Sequence, residues 1–149
     1  MKKIMLIGPI ESGKTTLCQR IKGEVLSYSK TQAIQFDPGM IDTPGEFLQH
    51  RRYYNALQVT SVEADVIAFV SSVSEREQTY PPMFDSYFSK PVIGILTKID
   101  LAESEKELKD AQERLQRAGA DKVFKVSAYT NEGVEELVNY LQDEERTDA

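Results

Sequence analysis

Eight consecutive residues, Gly8-Pro9-Ile10-Glu11-Ser12-Gly13-Lys14-Thr15, follow the spacing G-x-x-x-x-G-K-[ST] directly after the apolar run "MKKIMLI". Residue types in that order suit a polyphosphate. Gly8 and Gly13 let the chain turn sharply, and backbone N–H groups from Glu11, Ser12 and Gly13 through Thr15 and Thr16 can point at the β-phosphate at the positive end of a helix. Lys14 reaches the β- and γ-phosphates and is a candidate catalytic group, and the Thr15 hydroxyl can sit on Mg²⁺. Glu11 is at odds with this chemistry. A carboxylate facing phosphate at low dielectric would repel it by kilocalories, so Glu11 is expected to face solvent or to hold an ordering contact elsewhere. The motif specifies phosphate and leaves the nucleobase open.

A second group begins at Asp42. The run Asp42-Thr43-Pro44-Gly45 carries an aspartate that can hold Mg²⁺ through water, and Gly45 three residues on can offer its N–H to a γ-phosphate. Thr31 is the candidate for a second Mg²⁺ hydroxyl, so that Thr15, Thr31 and Asp42 would bind the ion alongside several waters. Glu46 stands where a glutamine would orient an attacking water. As a glutamate it can polarise water, but it adds negative charge beside a γ-phosphate. His50, Arg51 and Arg52 follow and are the only basic candidates near this end.

A third group would read the base. Thr97-Lys98-Ile99-Asp100 comes straight after the apolar run "PVIGIL". The Asp100 carboxylate can accept from guanine N1 and the exocyclic 2-amino group. Adenine offers neither donor, and a desolvated, unpaired Asp100 would cost ~1–3 kcal/mol. Lys98 can lay its stem along the base plane, and Ser127-Ala128 can offer a backbone N–H to guanine O6.

These groups need a frame that brings them to one end. "KKIMLIGP", "DVIAFVSSV", "PVIGILTK" and "KVFKVSA" read as buried parallel strands, and "TQAIQF" and "MIDTP" as a short antiparallel hairpin turning at Pro38-Gly39. Helices are expected from about Thr15 to Leu26, weakly over residues 47–63, from Ser104 to Gly119 with Ser104 and Glu107 as a capping box, and through Val134, Leu137, Val138 and Leu141. Alternating strands and helices predict an α/β three-layer sandwich around a mostly parallel, six-stranded sheet with an abbreviated edge. In such a sheet ligands bind beyond the carboxyl ends of the strands, where all three groups fall. Residues 1–145 form one domain in this reading, and residues 146–149 a frayed tail.

The 149 residues are 40% hydrophobic and 28% charged, with a net charge of −6. The acidic balance argues against non-specific nucleic-acid or anionic-membrane binding. The single cysteine, Cys18, permits no internal disulfide and is expected buried in the first helix. No apolar run approaches a membrane span, and "IMLI" is too short for a secretory segment, so a cytoplasmic location is expected.

With Gly8–Thr15, Asp42–Gly45, Thr97–Asp100 and Ser127-Ala128 in that order, the chain resembles a Ras-like P-loop GTPase over nearly its whole length. "GPIESGKTTL", the early "KTQAI", "IDTPGE" and "YYNAL" resemble more closely the EutP/PduV family of small P-loop proteins encoded with bacterial microcompartments that degrade ethanolamine or propanediol. The resemblance implies GTP or ATP with Mg²⁺ as ligands, a link to a microcompartment shell protein and, in EutP, acetate kinase activity. Three departures stand out. Lys14 and Asp42 lie only 28 positions apart, so the first switch is short; Glu46 replaces glutamine; Thr97 replaces a commoner asparagine. Three functions stay open on this basis: a GTP-binding switch with slow hydrolysis, an ATP-dependent phosphotransferase acting on a small carboxylate, and a non-catalytic shell-binding module.

Overall fold

A computed structural model describes residues 2–22, 35–37, 39–75 and 78–142. Six strands lie in one sheet: β1 (Ile4–Ile7), β2 (Gln35–Asp37), β3 (Met40–Asp42), β4 (Val66–Ser72), β5 (Val92–Thr97) and β6 (Lys122–Lys125), in the order β2-β3-β1-β4-β5-β6. All neighbours are parallel except β2 against β3. This is the mostly parallel, six-stranded sheet with the short edge hairpin that the sequence predicts. The hairpin strands have three residues each, and Gly39 turns between them at φ 90°. Pro38 lies outside the described residues.

The strands read as continuous apolar runs because both faces are covered. Successive side chains go to opposite sides. Ile4 and Leu6 of β1, Val66, Ala68 and Val70 of β4, and Ile93 and Ile95 of β5 share one core with Leu17 and Cys18 of α1 (Lys14–Ile21) and Val134, Leu137 and Leu141 of a C-terminal helix, Val134–Gln142. Met5, Ile7, Ile67 and Phe69 point the other way, onto Leu48 and Leu57, onto Phe84 and onto Ala111 and Leu115. Leu48 lies in α2 (Glu46–Gln49), Leu57 in α3 (Tyr54–Ser61), and Ala111 and Leu115 in α4 (Glu105–Arg117). The C-terminal helix is α5. Cys18 is buried. Three layers result.

Local details refine the sequence-based expectations. The expected helix over 47–63 is interrupted: His50 takes extended angles (φ −125°, ψ 117°), and a 3₁₀ turn at Arg51–Tyr53 restarts the chain into α3. Helix α1 is described to Ile21, and the expected turns beyond residue 22 lie outside the described residues. Ser104 caps α4 by accepting from Glu107 N at 3.2 Å, and Glu107 Oε1 accepts from Glu103 N at 3.3 Å. Between β4 and β5 the described residues of the crossover form one 3₁₀ turn, Phe84–Tyr87, and cover the sheet with rings: Phe69 stacks on Tyr80 at 4.9 Å and meets Phe84 at 5.4 Å. No helix of the described residues is long and apolar enough to cross a membrane.

Candidate nucleotide site

The phosphate loop leaves β1 where β1 and β4 part. The buried Tyr80 hydroxyl sits there, within hydrogen-bond distance of the carbonyls of Ile7 (2.8 Å) and Val70 (2.7 Å). Burial raises its pKa well above the ordinary phenol value, so it stays a donor. A Cβ on Gly8 would come within 2.7 Å of the same Val70 carbonyl. Ser12 N closes a turn onto Pro9 O at 3.1 Å, Glu11 takes a left-handed φ of 67° with its side chain exposed, and Gly13 follows at φ 94°. Glu11 thus faces solvent, as its charge requires. Gly13 occupies the N-cap of α1 without a side-chain cap, and no acidic residue lies in the first turn, so the positive end of the helix opens into the loop.

Lys14 is buried, with Nζ donating to Gly8 O at 2.9 Å. Desolvation lowers its pKa from 10.5, opposed by Asp42, Cys18 and Glu46. Ser12 Oγ is buried without a hydrogen-bond partner among the described residues. A buried hydroxyl so placed fits a loop whose remaining partner is a ligand oxygen.

At the Mg²⁺ side, Thr15 Oγ1 donates to Asp42 Oδ2 at 3.0 Å, although the two are 27 positions apart. A hydroxyl and a carboxylate in contact form the hard-oxygen donor set Mg²⁺ takes, with waters and phosphate completing the shell. Thr43 Oγ1 donates to Leu6 O at 2.8 Å and pins the end of β3 to β1. Gly45 has an ordinary φ of −59°, so space rather than backbone freedom requires a glycine there. A Cβ would lie 2.5 Å from Ile10 N. Glu46 opens α2 and is half-buried; His50, Arg51 and Arg52 are exposed, with Arg52 stacked on the Tyr53 ring at 5.0 Å. Thr31 lies outside the described residues.

The base motif is joined to the phosphate loop by two bonds. Thr97 Oγ1 donates to Ser12 O at 2.5 Å, and Lys98, at a left-handed φ of 59°, donates from Nζ to Glu11 O at 2.8 Å. Threonine therefore does at position 97 what is needed to hold the loop. Asp100 accepts at Oδ1 from Ser127 Oγ at 2.7 Å, and Thr130 N donates back to that same Oγ at 3.1 Å. Ser127 N is committed to Glu132 O at 2.9 Å, so the amide left to meet guanine O6 is that of Ala128. A cleft of about 420 Å³ runs from Gly13 and Thr16 to Thr97, Lys98, Asp100 and Ala128. Two further residues line it that the motifs do not include, Leu101 and Tyr129, both exposed. Their only sequence signal is an apolar side chain immediately after each motif.

Comparison with known proteins bears on this arrangement. The model of a family described as PduV-EutP, ethanolamine utilisation – propanediol utilisation, matches residues 1–143. The chain belongs to the PduV-EutP family. It is 46% identical to the propanediol utilization protein PduV of Citrobacter freundii, covering 97% of this chain and 96% of that one. It is 33% identical to the probable acetate kinase EutP of Escherichia coli (strain K12), covering 95% and 89% respectively. GTPase Era of Erythrobacter litoralis is 28% identical over 93% of this PduV-EutP chain, which spans about half (53%) of Era. Among solved structures, the bacterial selenocysteine-specific elongation factor EF-Sec matches with a TM-score of 0.69 at 22% identity, over 99% of this chain and 29% of that one. That likeness shows the fold.

Proposed function

We propose that this PduV-EutP chain is a small GTP-binding switch of ethanolamine or propanediol utilisation that turns its nucleotide over slowly, as one domain over residues 1–145. The observation that carries the reading is the physical joining of the two motif groups: Thr97 and Lys98 hold the carbonyls of Ser12 and Glu11, so base reader and phosphate loop share one cleft. In this reading the amides from Glu11 to Thr16 and the Lys14 ammonium bind the phosphates, Gly45 N–H senses the γ-phosphate, Asp100 reads guanine N1 and the 2-amino group, and Ala128 N–H meets O6. Thr15, Asp42 through water, and Thr31 would hold Mg²⁺, which supplies charge neutralisation between the phosphates when bound. Glu46 would face the attacking water, and its added charge accounts for slow turnover. The partner we propose is a microcompartment shell protein, with the chain cytoplasmic beside it.

The printed names of the EutP relatives support a second reading. A probable acetate kinase transfers a γ-phosphoryl group to acetate: the bond to the β-phosphate oxygen of ATP breaks, one to a carboxylate oxygen forms, and acetyl phosphate and ADP leave. Arg51 and Arg52 would be its carboxylate clamp, and the stacking of Arg52 on Tyr53 counts against that role in this conformation.

Calorimetric titration of wild type and Asp100→Ala with non-hydrolysable GTP and ATP analogues and Mg²⁺ separates the two. The switch predicts at least a tenfold preference for the GTP analogue, at least ~1.4 kcal/mol, erased in Asp100→Ala. Equal binding, or an ATP preference indifferent to Asp100, together with acetate-dependent ADP formation would establish the kinase.

A further inference from the structure

The loop after β6 carries Ser127 and Ala128 to the cleft, and an arginine from another element holds it. Arg20 Nε donates to Asn131 Oδ1 at 3.0 Å, across 111 positions of sequence. Arg20 lies in the last turn of α1, the helix that begins at Lys14 and Thr15. Gly13 and Thr16 line the cleft. Arg20 follows Thr16 by four residues, so it continues the same helix face about 6 Å further along the axis.

The loop is closed by its own bonds. Asn131 N donates to Ser127 O at 2.8 Å, and Ser127 N to Glu132 O at 2.9 Å. Thr130 N donates to Ser127 Oγ, and that hydroxyl donates to Asp100 Oδ1. Its shape is thus fixed internally, and what an outside contact can set is its position. Asn131 has a left-handed φ of 72°, which glycine adopts more readily, so the backbone alone does not call for an amide side chain there. A basic residue in the last turn of a helix is favourable whichever way it points. What the pair adds is a fixed distance between α1 and the loop. A nucleotide needs that distance, because its phosphates engage the start of α1 while its base edge engages the loop. Both ends bind at full strength only when the spacing is preorganised.

We infer that Arg20 is a positioning residue for base recognition: through Asn131 it anchors the loop that presents Ser127 and Ala128 to the helix that faces the phosphates. The inference rests on the nucleotide-binding reading above and deepens it. The groups that Arg20 positions are the Ala128 amide and, by way of the Ser127 hydroxyl, the Asp100 carboxylate. In that reading these are the groups that tell guanine from adenine. Loss of Arg20 therefore falls on discrimination rather than on phosphate affinity.

The test measures dissociation constants of GDP, ADP and inorganic tripolyphosphate for wild type, Arg20→Ala, Asn131→Gly and the double variant, at a temperature below all four thermal midpoints. Asn131→Gly removes the amide and keeps the left-handed backbone. Each single variant is expected to weaken GDP about two- to fivefold, the size of one exposed charged contact. ADP should weaken less, so the GDP preference falls, and tripolyphosphate should bind as it does to wild type. The double variant should be no worse than either single one, since both remove the same bond. The inference is overturned if either single variant keeps the wild-type GDP/ADP ratio or if the two losses add. It is also overturned if tripolyphosphate weakens as much as GDP, which would make Arg20 a source of general positive potential. Wild type that binds GDP and ADP equally would overturn the base reading and this inference together while leaving the phosphate loop standing. Wild type that binds none of the three would overturn the nucleotide-binding reading itself, and the inference with it.

Discussion

The proposed base end and the proposed metal end of the cleft are built from different groups. At the base end, Thr97, Lys98, Asp100, Ser127 and Thr130 are linked to one another or to the phosphate loop by hydrogen bonds that involve side chains, and those of Thr97, Lys98 and Asp100 join segments distant in sequence. At the metal end, the described contacts are Thr15 with Asp42 and Thr43 with Leu6, and the group expected to face water, Glu46, is a carboxylate. Preorganised donors and acceptors serve binding and discrimination, whereas hydrolysis needs charge stabilisation that a carboxylate does not provide. Under the proposed function, the difference would favour holding a nucleotide over consuming it.

The largest break in that comparison comes from Lys14→Met. It removes charge-assisted bonds of about 1.5–3 kcal/mol each to the phosphates, so triphosphate affinity should fall on the order of 10²–10³-fold by calorimetry while Asp100 still distinguishes bases. Stability should move the other way. Burial lowers the Lys14 pKa below 10.5, so the unfolded chain binds more protons than the folded one between the lowered value and 10.5. The destabilisation is therefore fully present below the folded pKa and is relieved as pH rises toward 10.5. Denaturation midpoints of the ligand-free proteins should show Lys14→Met at or above wild type near neutral pH, with the gap narrowing as pH rises.

Gly45→Ala tests the metal end next. Its Cβ meets the Ile10 backbone, which cannot swing aside, so α2 or the phosphate loop must shift. Turnover should drop at least tenfold, with a smaller loss in GDP affinity, read by phosphate release and by titration. Thr97→Val sharpens the base end: with its hydroxyl bond to Ser12 lost, GDP and ADP should weaken together and the melting transition should lose about 1–2 kcal/mol. The smallest effect is expected from Glu11→Gly. Relief of the left-handed backbone, worth about 1–2 kcal/mol, is about half offset by the roughly 0.5–1 kcal/mol of glycine entropy. Stability should therefore rise slightly, by about 0.5–1 kcal/mol, while removal of the carboxylate raises triphosphate affinity a few-fold at low salt.

Local chemistry was legible in the sequence and tertiary juxtaposition was not. The loop Gly8–Thr15 reads directly because a polyphosphate constrains consecutive residues, and the helix at Ser104 because its cap and period are local. The pairing of Thr15 with Asp42 follows only once β1 and β3 are placed side by side. Leu101 and Tyr129 escaped because exposure of an apolar side chain is set by what the rest of the fold fails to cover. Gly45 was assigned to its N–H, whereas the structure adds a steric demand from Ile10 that no spacing encodes. The crossover over residues 73–91 carried no periodicity to read, since it covers the sheet with aromatic rings rather than a helix.

That crossover touches the phosphate loop's origin through one phenol. Where β1 and β4 diverge, the Tyr80 hydroxyl lies within hydrogen-bond distance of the Ile7 and Val70 carbonyls, and its single proton is shared between them. The ring that carries this hydroxyl stacks on Phe69 and so ties the split between the strands to the aromatic core. Adding or deleting one residue between Val73 and Phe84 would move that ring against Ile7 and Val70 and change the mouth from which Gly8 departs. A connection between two strands thus reaches, through one hydroxyl, the point from which the phosphate loop departs.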